Sequence, residues 1–486
     1  METNDNKKSA RSLYLLFGAW YAMGSAISTL LTVTLADKLT KEHFSGKMLG
    51  SLMAVTALPW VLKPIWGILI DRFKTMYWWA MAASVAASFS VLVVAKVEAS
   101  LPYWLIVALV LIPNILRSLQ DVAVDGLSVA VSREEQRGAI QKWMRIGTII
   151  GTLLGGAGAM YFMEKNSWFT VCVTMMVISV IIGVIVPWLL ATTHIHEGQS
   201  ATKPSWSDLG GTLKSPMIIL GILLATVSIP AQQITGPLFY TWWNSPGYSK
   251  GMVSVIFTWA PLFQILGAML GGLLVKKMTK SMAVGVSLHL VALSYCAIGF
   301  KSNWSEDFAL GLSWLTGFSD TVYAVALFAL LMDLADKKYT AMSFALFMAA
   351  TNLCGLWGPW LGGELSTDGY YMAAWSMDRI FLFAGLAQIM VLPIVFSIEK
   401  AKRKQAGCIA NGAGCAKACP APGGGGIIPH QNSGGGLQKS PAENCLRYLQ
   451  RADIFKLRKF LIFYFFTIDA SHWDQTFQFL HDRFYA

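Results

Sequence analysis

Three charged residues stand four positions apart within one apolar run: Arg117, Asp121 and Asp125. Residues at this spacing share one face of a helix, so the three side chains should point in one direction. A charge at the centre of a bilayer costs at least about 2.5–3.5 kcal/mol, and such side chains therefore face other helices or a water-filled cavity. The spacing predicts a polar site inside a membrane bundle, a structural Arg–Asp pair that joins helices, or both.

The composition of the chain is that of a membrane protein. Of its 486 residues, 55% are hydrophobic and 13% are charged, whereas a soluble domain has about 25% charged residues. Apolar runs recur up to residue 398, each long enough to cross about 30 Å of hydrocarbon as a helix. We predict an all-α polytopic membrane protein whose twelve transmembrane helices cover residues 12–36, 47–70, 77–95, 102–131, 139–162, 168–191, 216–242, 252–275, 282–300, 308–334, 340–365 and 377–398.

The distribution of positive charge indicates the orientation of these helices. The net charge is +11, and the Lys and Arg residues concentrate in alternate loops, as they do on the cytoplasmic side of membrane proteins. We therefore expect both termini in the cytoplasm and no nucleic-acid partner. The seven cysteines match no standard zinc spacing, so we expect neither a metal nor a cofactor.

Similar stretches recur in the two parts of the chain. GILIDRF at 67–73 corresponds to GLLVKKM at 272–278, and GTLLGG at 151–156 corresponds to GPWLGG at 358–363. Asp125 and Asp333 are separated by nearly the same number of residues as the two members of each pair of stretches. This agreement indicates two duplicated, pseudo-symmetric six-helix halves. We predict a first half at 12–191, a cytoplasmic linker at 192–215, a second half at 216–398 and a disordered cytoplasmic tail at 399–486.

The loop after the second helix carries the motif GILIDRFK at 67–74. Asp71 falls at the carboxyl end of its helix, where the helix dipole disfavours a negative charge. It therefore needs a partner, either an Arg or the amino end of a neighbouring helix. We expect Asp71 and Arg72 to form a latch that holds one conformation. With twelve spans and two halves, the motif resembles the loop signature of the major facilitator superfamily.

Longer stretches are similar to one branch of that superfamily, the muropeptide permeases of the AmpG type. The segments are LPWVLKPIWGILIDRF at 58–73, SLQDVAVDGLSVAVSREEQRGA at 118–139, MRIGTIIG at 144–151 and ALLMDLADKKYTAMSFAL at 329–346. The resemblance implies the major facilitator fold and proton-driven import of anhydro-muropeptides, products of cell-wall turnover, across a bacterial inner membrane. The dipeptide Asp125–Gly126 is closer to the related acetyl-coenzyme A transporters, so acetyl-coenzyme A is the alternative substrate.

The resemblance also implies roles for particular residues. In this superfamily the first, fourth, seventh and tenth helices line the central cavity, where aromatic faces can stack on sugars and Arg can hold an acidic group. The residues expected to bind substrate are Trp20, Tyr21, Arg117, Gln120, Gln232, Gln233 and Tyr323. Gating is expected from Asp71, Arg72, Lys63, Asp125, Arg137 and Arg145.

The position of Asp320 makes it the first candidate for a proton carrier. At 1.5 Å per residue, it lies about 18 Å from the outer end of the tenth helix, near the middle of the membrane. Burial favours the neutral form of a carboxyl group, which allows it to exchange a proton near physiological pH. Asp121 is the second candidate.

Other classes of membrane protein fit the sequence less well. An enzyme would need a nucleophile–base pair or a metal cluster at membrane depth, and an ATP-driven pump would need a P-loop, which the sequence lacks. A transporter-like receptor is the alternative from a different class. The prediction is a monomeric secondary transporter whose partners are a muropeptide-like small molecule, protons and the lipid bilayer.

Overall fold

The computed structural model describes most of the chain: residues 4–43, 46–56, 58–73, 75–190, 214–243, 248–249, 252–301, 304–336, 339–366 and 375–410. Residues 1–366 and 375–398 form one compact unit, which contains the predicted first half and all of the predicted second half except residues 367–374. The second unit comprises residues 367–374 and 399–486, of which the structure describes only 399–410. Most of the predicted linker and most of the predicted tail lie outside the described residues.

Twelve helices of the described chain are long and apolar enough to cross a membrane, so the protein is a multi-pass membrane protein. In chain order the spans are α1 Arg11–Lys41, α2 Ser51–Phe73, α3 Met76–Val94, α4 Tyr103–Val131, α5 Glu134–Met163, α6 Trp168–Leu190, α7 Pro216–Gly236, α8 Thr258–Lys277, α9 Lys280–Gly299, α10 Glu306–Leu334, α11 Thr340–Ser366 and α12 Met377–Arg403.

Several spans consist of shorter helical segments. Five-residue π-helical turns interrupt α1, α5 and α6, while short breaks divide α2, α7 and α12. The helical segments that form these three spans extend beyond the apolar limits given above. They are Gly46–Thr56, Leu58–Val61 and Lys63–Phe73 for α2, Pro216–Thr226 and Pro230–Trp243 for α7, and Met377–Ile389 and Leu392–Ala410 for α12. The last segment shows that residues 399–410, predicted as the start of a disordered tail, are helical.

Side chains from neighbouring spans satisfy the backbone at the break in α7. The carbonyl oxygen of Ser228 accepts hydrogen bonds from the Tyr323 hydroxyl and from Gln388 Nε2, each at 2.8 Å. The carbonyl oxygen of Thr226 accepts one from Trp357 Nε1 at 3.1 Å. An unsatisfied carbonyl inside a membrane costs several kcal/mol, so these bonds permit Pro230 to interrupt the helix.

The two halves pack their helices in corresponding ways. Gly155 of α5 lies so close to the carbonyl oxygen of Ala26 in α1 that a Cβ atom would overlap it. In the second half, Gly362 of α11 approaches the carbonyl oxygen of Ile234 in α7 with the same consequence. Glycine permits such close contact between membrane helices. Both glycines belong to the repeated GTLLGG and GPWLGG stretches, and the two contacts are equivalent in the sequence repeat.

Three clusters of buried apolar side chains form the core. One lies within the first half and includes Met23 and Val91, and a second is built mainly from the second half. The third cluster combines α1, α3, α4 and α5 with Ala341 and Ala345 of α11, so it joins the two halves. It lies at the end of the bundle that contains Asp71, which we call the Asp71 end.

At the opposite end of the bundle, which we call the Glu42 end, acidic residues form hydrogen bonds between segments of the same half. Glu42 accepts a hydrogen bond from Lys38 Nζ at 2.6 Å and one from the Ala99 amide at 3.0 Å. Partial burial raises the pKa of Glu42, but these two hydrogen bonds outweigh it and leave the pKa below the ordinary value. In the second half, Glu306 accepts a hydrogen bond from the Ser249 amide at 3.0 Å.

Candidate functional site

Asp121 is shared by two cations in the interior of the first half. Its Oδ2 lies 2.5 Å from Lys63 Nζ of α2, and its Oδ1 lies 3.1 Å from Arg117 Nη2, one turn away on α4. Arg117 also donates from Nη1 to Gln120 Oε1 at 2.5 Å. The Lys63 side chain is only 2% exposed, so this is a buried three-residue ionic cluster. The Arg117–Asp121 pair was predicted from its spacing, whereas the Lys63–Asp121 bond was not predicted.

The break in α2 brings an aromatic ring to this cluster. The indole ring of Trp60 lies 4.8 Å from Lys63 Nζ and 5.5 Å from Arg117 Cζ, measured to the ring centre. Such contacts attract a cation to the face of the ring. The carbonyl oxygen of Pro59 at the break accepts a hydrogen bond from Ser118 Oγ at 2.7 Å. Sequence reasoning missed Trp60; the signal that could have found it is the pair of flanking prolines, Pro59 and Pro64, which disfavour a regular helix.

Asp125 lies one turn beyond Asp121 on α4 and is not part of the ionic cluster. Its Oδ1 accepts a hydrogen bond from the hydroxyl of Tyr21 in α1. Asp125 is only 1% exposed, and its Oδ2 has no hydrogen-bond partner among the described residues. Asp125 was predicted as a gating residue and Tyr21 as a substrate contact, but the sequence did not indicate that they are bonded.

A cavity of about 240 Å³ lies between the two halves, against the ionic cluster. The charged side chains of the cavity wall come from the first half: the cations Lys63, Arg117 and Arg145 and the carboxylate of Asp121. The second half supplies mainly apolar side chains and Asn352, whose Nδ2 also donates to the Trp60 carbonyl at 3.3 Å. The lining residues are Tyr21, Ser25, Ser28, Trp60, Lys63, Arg117, Asp121, Gln141, Met144, Arg145, Thr148, Ala324, Val325, Phe328, Phe344, Met348 and Asn352.

The excess of cations gives the cavity a positive wall. Arg145 forms no ion pair within the described part of the chain, and it can therefore bind an incoming acidic group. Gly24 of α1 leaves room for the neighbouring cation, because a Cβ atom there would overlap the Arg117 guanidinium. Guanidinium groups bind carboxylates and phosphates in a bidentate manner, so this wall is suited to an anion.

Asp320 of the second half is near the same wall. Its Oδ2 accepts a hydrogen bond from the hydroxyl of Tyr295 at 2.8 Å. Its negative charge also attracts Arg145, across the boundary between the halves. The sequence predicted the depth of Asp320 but neither of these partners. Asp320 is not among the residues that line the cavity in the described chain.

Five of the seven predicted substrate contacts are not among the residues that line this cavity in the described chain. Gln120 accepts a hydrogen bond from Arg117 Nη1. Trp20 is fully buried and donates from Nε1 to the Gly183 carbonyl at 3.1 Å. Tyr323 binds the break in α7, and Gln233 packs against glycines of α11. Gln232, on the same helix, is likewise not a lining residue. The resemblance implied a cavity lined by α1, α4, α7 and α10. In the described chain α1, α4 and α10 contribute lining residues together with α2, α5 and α11, whereas α7 contributes none.

Asp71 lies at the interface between the halves, with its carboxylate at the amino end of α11. Its Oδ1 accepts the Ala341 amide at 3.2 Å and its Oδ2 accepts the Met342 amide at 2.8 Å. The helix dipole adds to these bonds, because the amino end of a helix attracts a negative charge. Gly67, one turn earlier, permits the contact, since a Cβ atom would lie 2.6 Å from Met342 Cα. Arg72, the other predicted latch residue, is exposed.

A second ionic group joins the halves at the same end. Arg137 of α5 forms an ion pair with Asp333 of α10. Lys280 of α9 lies 2.8 Å from Asp333 and 3.2 Å from Glu134, which is on the first half. These bonds and those of Asp71 close the Asp71 end. Arg137 was predicted as a gating residue, whereas the roles of Lys280 and Glu134 were not predicted.

Twelve spans around a charged cavity between two equivalent halves define a membrane transporter of the two-domain type. The chain belongs to the major facilitator superfamily, because the family model of that name matches residues 13–239 and 222–471. This family consists of transporters and not of enzymes. Within the described chain, no group of three or more His, Cys, Asp or Glu side chains could hold a metal ion.

Known relatives extend the resemblance to the muropeptide permeases. The chain is 24% identical over 371 residues to an AmpG transporter of Rickettsia conorii, covering 71% of this chain and 85% of that protein. It is 23% identical over 401 residues to the anhydromuropeptide permease of Escherichia coli, covering 79% of each chain. Among solved structures, a fucose:proton symporter of Escherichia coli has the same fold, with a TM-score of 0.63 at 14% identity, over 80% of this chain and 98% of that one.

Proposed function

We propose that the protein is a secondary active transporter that imports anhydro-muropeptides together with protons. The observation that carries the proposal is the wall of the cavity, where Lys63, Arg117 and Arg145 face a single carboxylate, that of Asp121. Muropeptides carry acidic groups, which these cations can bind. The similarity to the Escherichia coli anhydromuropeptide permease supports this class of substrate.

The remaining wall of the cavity suits the other parts of such a substrate. The rings of Tyr21 and Trp60 offer aromatic faces on which a sugar can stack. Phe328, Phe344 and Met348 of the second half offer apolar contacts for the carbon skeleton of a peptide. Each half thus binds a chemically different part of the solute, and binding becomes strongest when both halves approach it.

Transport proceeds by alternating access between the halves. The cavity of about 240 Å³ is smaller than the roughly 300–1,000 Å³ of sites that hold drug-sized ligands, so the halves must separate to admit a muropeptide. The Asp71 bonds to α11 and the Arg137–Asp333 pair hold the Asp71 end closed in this conformation. Opening that end requires these bonds to break, as expected of the gating role of Asp71 and Arg137.

We also propose an orientation and a membrane for the protein. Lys and Arg in alternate loops support an orientation with both termini, and the Asp71 end, in the cytoplasm. The membrane is then the inner membrane of a bacterium, and the transporter acts as a monomer. Asp320 and Asp121 remain the sequence-based candidates for the proton.

Acetyl-coenzyme A is the second candidate substrate. It is also a large anion that the positive wall could bind, and the dipeptide Asp125–Gly126 favours it. The test is counterflow in proteoliposomes that contain the purified protein, with radiolabelled anhydro-muropeptide or acetyl-coenzyme A outside. We expect vesicles preloaded with unlabelled muropeptide to take up labelled muropeptide, and acetyl-coenzyme A not to compete. Exchange of acetyl-coenzyme A alone, or of neither compound, would contradict the proposal.

A further inference from the structure

The carboxyl group of Asp125 is buried and only partly satisfied by hydrogen bonds. Tyr21 donates to Oδ1, while Oδ2 has no hydrogen-bond partner among the residues that the structure describes. A buried carboxylate oxygen without a partner keeps the full cost of losing its water. A proton on Oδ2 removes the charge and with it most of this cost.

The neighbours of Asp125 do little to compensate a negative charge. The groups that act on it electrostatically are Tyr21 of α1, Lys63 of α2, and Arg117 and Asp121 of its own helix. Both cations are bonded to Asp121. The Asp121 carboxylate repels a second negative charge one turn away, whereas no cation forms an ion pair with Asp125 in the described chain.

The charges around the cavity would change when an anion enters. Three cations, Lys63, Arg117 and Arg145, are matched by three carboxylates, Asp121, Asp125 and Asp320, so the ionised set is neutral. An acidic group of the substrate adds one negative charge to an interior that disfavours net charge. One proton taken up by a carboxylate restores neutrality, which gives a physical reason for coupling the proton to the anion.

The surroundings differ among the three carboxylates. Two cations bond directly to Asp121, and Asp320 is attracted by Arg145 and bonded to Tyr295. Within the described residues, the only side-chain hydrogen-bond partner of Asp125 is Tyr21, which lines the cavity. Asp125 itself is buried and is not among the residues that line the cavity in the described chain.

We propose that Asp125 binds the co-transported proton and that Tyr21 positions its carboxyl group, an inference that rests on the proposed proton symport. An O–H bond forms at Oδ2 with a proton from the water of the side that is open, and the carboxylate becomes a neutral acid. After the halves reorient, the same O–H bond breaks, and the proton passes to water on the other side. The acidic group of the substrate is bound meanwhile by Arg117 and Arg145.

The transport test compares three variants of the full-length protein in proteoliposomes. An inward pH gradient drives uptake of labelled anhydro-muropeptide, and counterflow is measured without a gradient. Asp125→Asn should abolish accumulation above the outside concentration and retain counterflow, because the amide mimics a permanently neutral acid. Asp320→Asn should still accumulate substrate. Ser128→Ala is the matched control on α4, since in the described chain the Ser128 hydroxyl bonds only to the Asp125 backbone carbonyl, and it should behave as the parent does.

A second measurement does not depend on the substrate. Infrared difference spectra of the purified protein, recorded between two pH values, detect the stretching band of a protonated carboxyl group. This band should be present in the parent and in Asp320→Asn, absent in Asp125→Asn, and shifted in Tyr21→Phe, which keeps the ring and removes the hydroxyl.

The outcomes separate the two proposals. Parental accumulation by Asp125→Asn, or an infrared band that survives in this variant and disappears in Asp320→Asn, would overturn the assignment to Asp125. If the parent takes up no muropeptide at all, the proposed substrate is wrong, and the infrared band alone decides whether Asp125 binds a proton. If Asp125→Asn does not fold, the Tyr21→Phe spectrum decides, because an unshifted band would exclude Asp125.

Discussion

Arg117 uses only part of its hydrogen-bonding capacity within the protein. Nη1 and Nη2 are bonded to Gln120 and Asp121, while Nε has no partner in the described chain. The guanidinium is held in a fixed orientation at the wall of the cavity by its own helix and by Trp60. This pre-organisation lowers the entropy lost when an acidic group binds.

Replacing Arg117 should therefore weaken binding itself. A charge-assisted hydrogen bond contributes about 2 kcal/mol, so Arg117→Ala should reduce apparent affinity roughly thirtyfold, in counterflow and in gradient-driven uptake alike. Arg117→Lys keeps the charge but loses the planar fork, and it should fall between the parent and the alanine variant. Affinity measured by counterflow checks both variants. Parental affinity in Arg117→Ala would remove Arg117 from the site.

Asp121 should matter for stability as well as for transport. Asp121→Asn leaves Lys63 and Arg117 buried without their shared counter-charge, which costs about 3–5 kcal/mol for a broken buried pair. The double variant Asp121→Asn with Lys63→Met removes one of the two unpaired cations and should recover part of this loss. Thermal unfolding of the purified variants tests the coupling. If the loss of stability in the double variant equals the sum of the losses caused by Asp121→Asn alone and by Lys63→Met alone, Lys63 and Asp121 do not stabilise each other.

At the scale of the helices, the break in α7 offers a structural role for a residue that was predicted to bind substrate. Tyr323→Phe removes the hydroxyl that bonds the Ser228 carbonyl but keeps the buried ring. We expect a loss of about 1 kcal/mol in stability, because Gln388 still bonds the same carbonyl, and no change in substrate affinity. A lower melting temperature with parental counterflow affinity would fit this account. Lost affinity at unchanged stability would instead support direct substrate contact.

The bonds between Asp71 and α11 allow a sharper test of gating. Asp71→Asn weakens both backbone contacts and removes the attraction to the helix dipole, which together destabilise the closed Asp71 end by about 1–2 kcal/mol. Transport should slow while expression and insertion stay near normal. Asp37→Asn is the control, because the ion pair that Asp37 forms in the described chain is with Lys41 on its own helix, at the other end of the bundle. Equal uptake rates in the parent, Asp71→Asn and Asp37→Asn would exclude Asp71 from gating.

The number and type of the helices were predictable because each span needs a long apolar run, and the chain has twelve of them. Their breaks were harder to predict, since the apolar run continues through the breaks in α2 and α7. The need of Asp71 for a partner was predictable from its own helix, because the helix dipole disfavours a negative charge at the carboxyl end. The amino end of α11 is that partner. The choice of α11 over any other helix depends on long-range packing, which no local pattern contains.

Across the whole molecule, the charged residues of the site and the pair within α4 were predictable, but the bonds between different spans were not. Arg117 and Asp121 lie four apart on one helix, so their bond follows from helix geometry. The bonds from Lys63 to Asp121 and from Tyr21 to Asp125 join different spans. They depend on how each helix is rotated about its axis, as does the placement of Trp20, Gln233 and Tyr323 away from the cavity.

In the proposed transport cycle, solute and proton cross together, and both halves take part. The Asp71 end is closed by bonds that join the halves, and the cavity between them has a positive wall. A solute that neutralises this wall, together with a proton that neutralises a carboxylate, lets the loaded protein reorient without added net charge. Entry of the solute should therefore carry protons with it.

The most direct test measures both movements in the same vesicles. Proteoliposomes are loaded with a pH-sensitive dye at equal pH inside and outside, and labelled anhydro-muropeptide is added outside. We expect the label to enter and the lumen to acidify in parallel, with the same dependence on substrate concentration, and we expect Arg117→Ala to weaken both. Entry of the label without acidification, or no entry of the label at all, would contradict this expectation.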